Sequence, residues 1–384
     1  MHRFRSFAFV LLFVVLGGVA PVLGADRANV DRDALASLLT QKLTEANAAG
    51  FSGSVLVADG DDVLFEHQVG TADPVKGTPV TTNTRFNLAS TGKLFTTVSV
   101  LQLVQAGKLD LDAPVGRYLP DWPVKQVRDD VTLRQLLLHT SGLKSYWGAE
   151  FNSRRATLRT LADYRPLLAT EPTFAPGSQW QYSNIGFQLL GLIVEAASGQ
   201  SYYDYVATHI FGPAGMRDTG YFDMDGQAPR VAVPRRGGTG TDHDDTLPVP
   251  EPRGGAAGGG YSTPRDLLRF HRALTGGVLL DAKHLDLLFA PVALPAGTRA
   301  PPHGLGMLRY AVGDDVGYGH PGGAPGVGVD FRGLRRAGWT VIVMSNSDAP
   351  RTMPLAGELL QLVHRAGGPD LTFPMPAGGV RVGG

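Results

Sequence analysis

Apolar residues at Leu35, Leu38, Leu39, Leu43 and Ala46 repeat at the spacing of one helical face. They predict a helix from Asp31 to Ala48 that stops before Gly50. Ser54–Ala58 and Val63–Glu66 read as two strands joined by the turn Asp59-Gly60-Asp61-Asp62, a β-hairpin. Thr71 to Asn83 is rich in turn residues and leads to a stretch where Ser90 opens a helix continued by Leu94, Val98, Leu101 and Val104. The middle of the chain keeps the helical period. Leu133, Leu136, Leu137 and Leu138 form a buried helix capped by Thr132 or Asp130. Leu158 to Leu168 forms another, kinked or ended early by Pro166. Asn184 to Ala197 ends at Ser198-Gly199, and Tyr202 to Ile210 follows. Arg235 to Gly260 has little periodicity and many Gly, Pro and Asp residues, which fits a flexible loop or a lid. Asp266 to Leu274 is a short helix. Strand-like runs follow at Gly306–Ala311, Val327–Phe331 and Thr340–Ser345, then an amphipathic helix from Met353 to Arg365.

The order is hairpin, helical middle, strands and a last helix. It predicts an α+β fold, with an antiparallel sheet drawn from both chain ends, flanked by N- and C-terminal helices, and an all-helical lobe inserted between. The sheet lobe spans about 31–85 and 255–366, the helical lobe about 86–254, and 367–384 is a loosely held tail.

Composition narrows the function classes. The 384 residues carry a formal net charge of zero and no long basic run, so nothing points to nucleic acid. There are no cysteines, which excludes disulfides, thiolate metal sites and a cysteine nucleophile. Arg3 and Arg5, an apolar run from Phe7 to Leu16, and Val22-Leu23-Gly24 before Ala25 read as a signal peptide over 1–24. The chain is then exported, periplasmic or secreted. An uncleaved anchor is the alternative, and that segment would be the only link to a membrane.

Ser90 and Lys93 are three apart, which puts them on one helical face. A hydroxyl beside a buried amine suits a nucleophile with its base, because burial weakens a lysine's hold on its proton. The alternative is a serine that caps the helix beside a solvated lysine. A second S-x-x-K, Ser141 to Lys144, follows His139-Thr140 at a helix end and reads as a loop. Tyr182 and Asn184 are two apart at the opening of a helix. Together they suit proton relay and the positioning of a lysine or substrate carbonyl, or else a core tyrosine beside a capping asparagine. Gly319-His320-Pro321-Gly322-Gly323 precedes the Val327 strand. A backbone N–H of Gly322 or Gly323, with that of Ser90, could face an oxyanion, and His320 would add a donor at the rim. The plain reading is a glycine-rich turn with an exposed histidine. The G-x-S-x-G elbow and H-E-x-x-H are missing, the histidines are scattered, and the acidic run Asp242-His243-Asp244-Asp245 reads as an exposed loop. No metal or cofactor is expected.

The ordered set Ser90-Thr91-Gly92-Lys93, Tyr182-Ser183-Asn184 and His320-Pro321-Gly322 resembles the three active-site motifs of the serine β-lactamase and penicillin-binding-protein superfamily. Its tyrosine and histidine look most like the class C β-lactamase-related branch, which also holds DD-peptidases, D-amino-acid peptidases and esterases. Leu136–Leu143 and Gly259–Leu267 resemble further stretches of the family, and His303–Gly306 and Val343–Asn346 resemble its late strands, so the likeness runs from Asp31 to Arg365. The resemblance implies an acyl-enzyme on Ser90, with Lys93 as base and Tyr182 as acid/base. Asn184, His320, Gly322 and Gly323 would position an ester, amide or peptide substrate. His320 stands where many relatives have lysine. A neutral imidazole holds a carboxylate poorly near pH 7, which places esterase or D-amino-acid peptidase ahead of DD-peptidase and true β-lactamase. A reading of another class is a dead site that binds cell-wall peptides, but an intact Lys93 has no physical use there. Arg235–Gly260 and Tyr146–Arg155 are the candidate specificity stretches.

Overall fold

The computed structural model describes residues 30–223, 229–235 and 252–372. The signal segment 1–24, the Asp242–Asp245 run, most of the proposed lid and the end of the tail lie outside the described residues. Asp31 caps α1 (Arg32–Ala48) by accepting the Ala34 N–H. The hairpin strands are β1 (Gly53–Asp59) and β2 (Asp62–Val69). Then come the helices α2 (Lys93–Gln105), α3 (Asn184–Ser198) and α4 (Pro264–Thr275). Four strands follow, β3 (Leu308–Val312), β4 (Asp315–Ala324), β5 (Val327–Leu334) and β6 (Trp339–Ser345), and α5 (Ala349–Arg365) ends the fold.

The six strands form one antiparallel sheet in the order β2-β1-β6-β5-β4-β3. Both chain ends therefore meet at its centre, where Val55 pairs with Val343 and Leu56 with Ile342. Side chains alternate across a strand, so each pair serves a different face. Val55, Val57, Val341 and Val343 pack with Leu35, Leu39 and Leu43 of α1 and with Leu355, Leu359 and Val363 of α5. Leu56, Ala58, Ile342 and Met344 belong to the opposite core, which continues through β5 into α2, α3 and α4. With both faces covered, β1 and β6 read as unbroken apolar runs.

The predicted boundaries shift where side chains decide them. Thr132, not Asp130, caps the Leu133–Leu137 helix, in a reciprocal box with Gln135. The next helix starts at Leu161, not Leu158, because Thr160 and Asp163 form the same device, and Pro166 is carried inside it. The Tyr202–Ile210 run divides into an α-helix at Tyr202–Val206 and a π-turn at Ala207–Phe211. The largest correction is β4. His320-Pro321-Gly322-Gly323 is not a turn ahead of a strand; it lies inside a ten-residue strand. Glycine and proline carry no strand signal, and here pairing with β5 through Ala324 imposes the conformation. Pairing with β3 ends at Gly319, so Pro321 lies on a free edge where its missing N–H breaks no ladder.

Candidate active site

Ser90 stands in a 3-10 turn, Ala89–Gly92, that runs directly into α2. It is not the capping residue of that helix, a place taken by Gly92. Ala89 has φ of 43°, a left-handed conformation that costs a non-glycine residue about 1–2 kcal/mol. The surroundings hold it there. Asn87 Oδ1 accepts the Ala89 N–H at 2.8 Å, and Gly259 N donates to the Ala89 carbonyl at 3.1 Å. On the other flank Thr91 Oγ1 donates to the His320 carbonyl of β4 at 3.0 Å. Two glycines make these approaches possible. A Cβ on Gly258 would lie 2.8 Å from the Ala89 oxygen, and one on Gly322 only 2.4 Å from the Leu88 oxygen. Ala89, Thr91 and Gly92 are buried, while Ser90 keeps partial exposure.

Lys93 is fully buried beneath the serine. Its Nζ donates to Ser90 Oγ at 3.3 Å, to Asn184 Oδ1 at 2.8 Å and to the Ala257 carbonyl. It also lies 4.8 Å from the Tyr182 ring centre and 5.4 Å from that of Phe187. The Asn184 amide is oriented from its other end, where Nδ2 donates to Ser145 Oγ at 3.2 Å. Tyr182 shares a hydrogen bond with Ser90, and burial pushes its phenol well above the ordinary range, the Ser90 bond opposing. It is therefore a neutral hydroxyl near pH 7. The pair Ser90 and Lys93 thus meets the pair Tyr182 and Asn184, with 91 positions between Lys93 and Asn184.

His320 is buried, and its Nδ1 lies 2.6 Å from the Pro321 carbonyl. Burial first, then the charge of Lys93, brings its imidazole down to about 3. It is neutral, as argued from its free pKa, and for a stronger reason. The two glycines after it divide the work. Gly323 and Ala324 line the cleft beside Ser90, whereas Gly322 is pressed against the nucleophile turn. The cleft, narrow and open to solvent, is also lined by Tyr146, Trp147, Asn184 and the glycines around Ala257. None of these described residues carries a charge.

Several participants escaped the sequence reading. Residues 252–260, read as the end of a loop or lid with Gly259 and Gly260 opening a family stretch, are built into the site: Gly260 accepts the Leu88 N–H and Ala257 holds Lys93. Two further neutral histidines belong here: His139 stands beside Tyr182, and His303 stands beside His139 and Trp180. The His139 ring centre is 4.5 Å from that of Tyr182 and 5.7 Å from that of His303. The one available signal for His139 was its place in the Leu136–Leu143 motif, which showed no role. The second S-x-x-K is a turn as read, with Ser141 Oγ accepting the Leu143 N–H at 3.3 Å and Lys144 exposed.

Residues 35–365 match the family model described as Beta-lactamase. The chain belongs to the beta-lactamase family. It is accordingly a member of a family of serine hydrolases with the beta-lactamase/transpeptidase-like fold. Among family relatives it is similar to Penicillin-binding protein 4* of Bacillus subtilis (strain 168), 34% identical over 72% of this chain and 64% of that protein, so it spans under two thirds of that relative. It is 33% identical to Esterase EstB of Burkholderia gladioli, over 75% of this chain and 81% of the esterase. A solved penicillin binding protein from Bacillus halodurans superposes with a TM-score of 0.74 at 30% identity, covering 84% of this chain and 98% of that one.

Proposed function

We propose that this beta-lactamase family member is an exported serine hydrolase that cleaves a small, uncharged ester or amide through an acyl-enzyme on Ser90. The observation that carries the reading is the shared hydroxyl: Ser90 Oγ is 3.3 Å from Lys93 Nζ and hydrogen-bonded to the neutral phenol of Tyr182. Lys93 acts as the neutral amine, its two N–H bonds on Asn184 Oδ1 and the Ala257 carbonyl and its lone pair on the Ser90 hydroxyl, and takes the Ser90 proton as Oγ bonds to the substrate carbonyl carbon. The developing oxyanion is met by the N–H groups of Ser90 and Gly323, which lie on the two walls of the cleft. The carbonyl then re-forms and the leaving oxygen or nitrogen takes a proton from Tyr182. Tyr182 recovers a proton from the Lys93 ammonium beside its ring, which restores both groups. Water repeats the sequence on the acyl-enzyme and frees Ser90. Asn184 holds Lys93 on line.

The absence of charge among the described residues that line the cleft and the neutral His320 support substrates without a carboxylate, in the direction of the esterase relative. A penicillin-binding peptidase or a β-lactamase is the second reading, in the direction of the penicillin-binding relatives and of the family's name. Export rests on the basic, apolar and small-residue order of residues 1–24. It predicts a mature protein beginning at Ala25, read by N-terminal sequencing of the secreted form. Ser90→Ala is expected to abolish hydrolysis of p-nitrophenyl esters without moving the melting temperature, and peptide mapping of the wild type should find the acyl group on Ser90. Undiminished hydrolysis by Ser90→Ala overturns the proposal.

A further inference from the structure

His139 lies outside the three motifs, yet it grips one of them at both ends. Its backbone carbonyl accepts the Gln181 N–H at 2.9 Å, and its ring Nδ1 accepts the Ser183 N–H at 3.1 Å. Between those two bonds the imidazole lies against the Tyr182 ring at 4.5 Å, with the planes inclined by 35°. The Phe187 ring, one turn into α3, stands 5.2 Å away on an almost equal tilt. A single residue thus spans the tripeptide Gln181–Ser183 and presses on the side chain at its centre. It does so with φ of 57°, a left-handed conformation that histidine and asparagine tolerate better than most residues.

We propose that His139 is a positioning residue, which fixes the Tyr182 hydroxyl and the Asn184 amide over Ser90 and Lys93 by accepting the Ser183 N–H on Nδ1.

The inference rests on the acyl-enzyme reading above and adds a residue to it. The anchor needs one tautomer. Nδ1 accepts only when it carries no proton, so the hydrogen of the neutral ring must be on Nε2. Burial and the titratable groups that face the ring favour that neutral state. Trp180 and His303 meet it edge-on, at 6.1 and 5.7 Å, and the charge of Lys93 from α2 and the imidazole of His320 from β4 act on it from across the site. Burial holds its pKa well below the usual value, with the contributions of His303, Lys93 and His320 in the same direction. Protonation would turn the acceptor into a donor facing another donor, the Ser183 N–H. The consequence would reach the chemistry directly. Ser183 caps α3 through Gly186 N, and Asn184 is the next residue. A shift of the tripeptide would move Tyr182 off Ser90 and Asn184 off Lys93 together.

The test compares H139N and H139L with the wild type. Asparagine places Oδ1 as many bonds from the backbone as Nδ1 and tolerates the left-handed conformation. Leucine keeps bulk and removes the acceptor. Acylation of Ser90 by an alkyl ester, whose leaving group needs the Tyr182 proton, is followed by mass spectrometry, with kcat and KM measured from pH 5 to 9. H139L should acylate about 100-fold more slowly, the loss falling on kcat and not KM, since misplacement of a catalytic group by about 1 Å has that effect. H139N should recover most of that loss. Equal losses in the two variants, or none in H139L, overturn the proposal. Should H139L fail to fold, 15N spectra of imidazole-labelled wild type decide, with the His139 signal assigned by its absence from H139N. An unprotonated Nδ1 at pH 7 is expected, and a protonated Nδ1 overturns the anchor. Failure of the hydrolase reading is separately visible as a wild type with no adduct on Ser90.

Discussion

At the residue scale the site is a set of neutral donors and acceptors converging on one buried amine. Lys93 touches Ser90 Oγ, Asn184 Oδ1 and the Ala257 carbonyl. Lys93→Met removes the proton acceptor for Ser90 and should lower kcat by about 10²–10⁴-fold, the usual share of general base catalysis. Steady-state kinetics on one ester suffices to check it. Tyr182 makes a sharper prediction. A neutral phenol serves as an acid for the leaving group. An alkoxide needs that proton, whereas p-nitrophenolate leaves without it. Tyr182→Phe should therefore lose far more activity on an alkyl ester than on the p-nitrophenyl ester of the same acid. Equal losses on the two would remove Tyr182 from the leaving-group step.

At the element scale, β4 and the 254–260 segment clasp the nucleophile turn from opposite sides. The contact with β4 depends on Gly322 having no side chain, since a Cβ there would fall 2.4 Å from the Leu88 oxygen and 2.9 Å from Thr91 Oγ1. Backbone atoms cannot swing aside as a side-chain tip would. Gly322→Ala should therefore destabilise the fold by about 1–3 kcal/mol, as overpacking does, and lower kcat by moving Ser90 away from Gly323. Gly357 is the matched control. It lies within α5, a Cβ there meets nothing within 4 Å, and Gly357→Ala should raise stability by about 0.5–1 kcal/mol through helix propensity alone. Urea unfolding of both variants, with kcat alongside, separates the two effects.

On the scale of the whole molecule, burial of neutral imidazoles makes the fold sensitive to mild acid. His271 and His303 are brought down to about 4 and His320 to about 3, with burial the largest cause in each, and His139 is lowered in the same direction. The unfolded chain takes up these protons near pH 6.5, the folded chain only at far lower pH. Between those limits the unfolded state binds more protons, so stability falls as pH falls, by about 1.4 kcal/mol per pH unit for each such histidine. Above pH 6.5 both states leave the rings neutral, and these groups contribute no slope. The melting temperature should be level from pH 7 to 8 and drop steeply from pH 6.5 toward 4.5. A level melting curve down to pH 5 would contradict it.

What the sequence determined by itself was local. The period of α1, the hairpin of β1 and β2, the Gly199 stop of α3 at φ 73° and the three-residue spacing of Ser90 and Lys93 are all patterns within a few residues. Pairs of that kind are written in spacing, because helix and strand geometry convert spacing into a shared face. Tertiary structure alone decided the contacts that have no period. Lys93 finds Asn184 across 91 positions and Ala257 across 164, and His139 finds Ser183 across 44. Strand β4 belongs to the same class, since its glycines and proline become a strand only through pairing with β5. The chemistry was visible as motifs, but the geometry that joins them came from closing the sheet between the two ends of the chain.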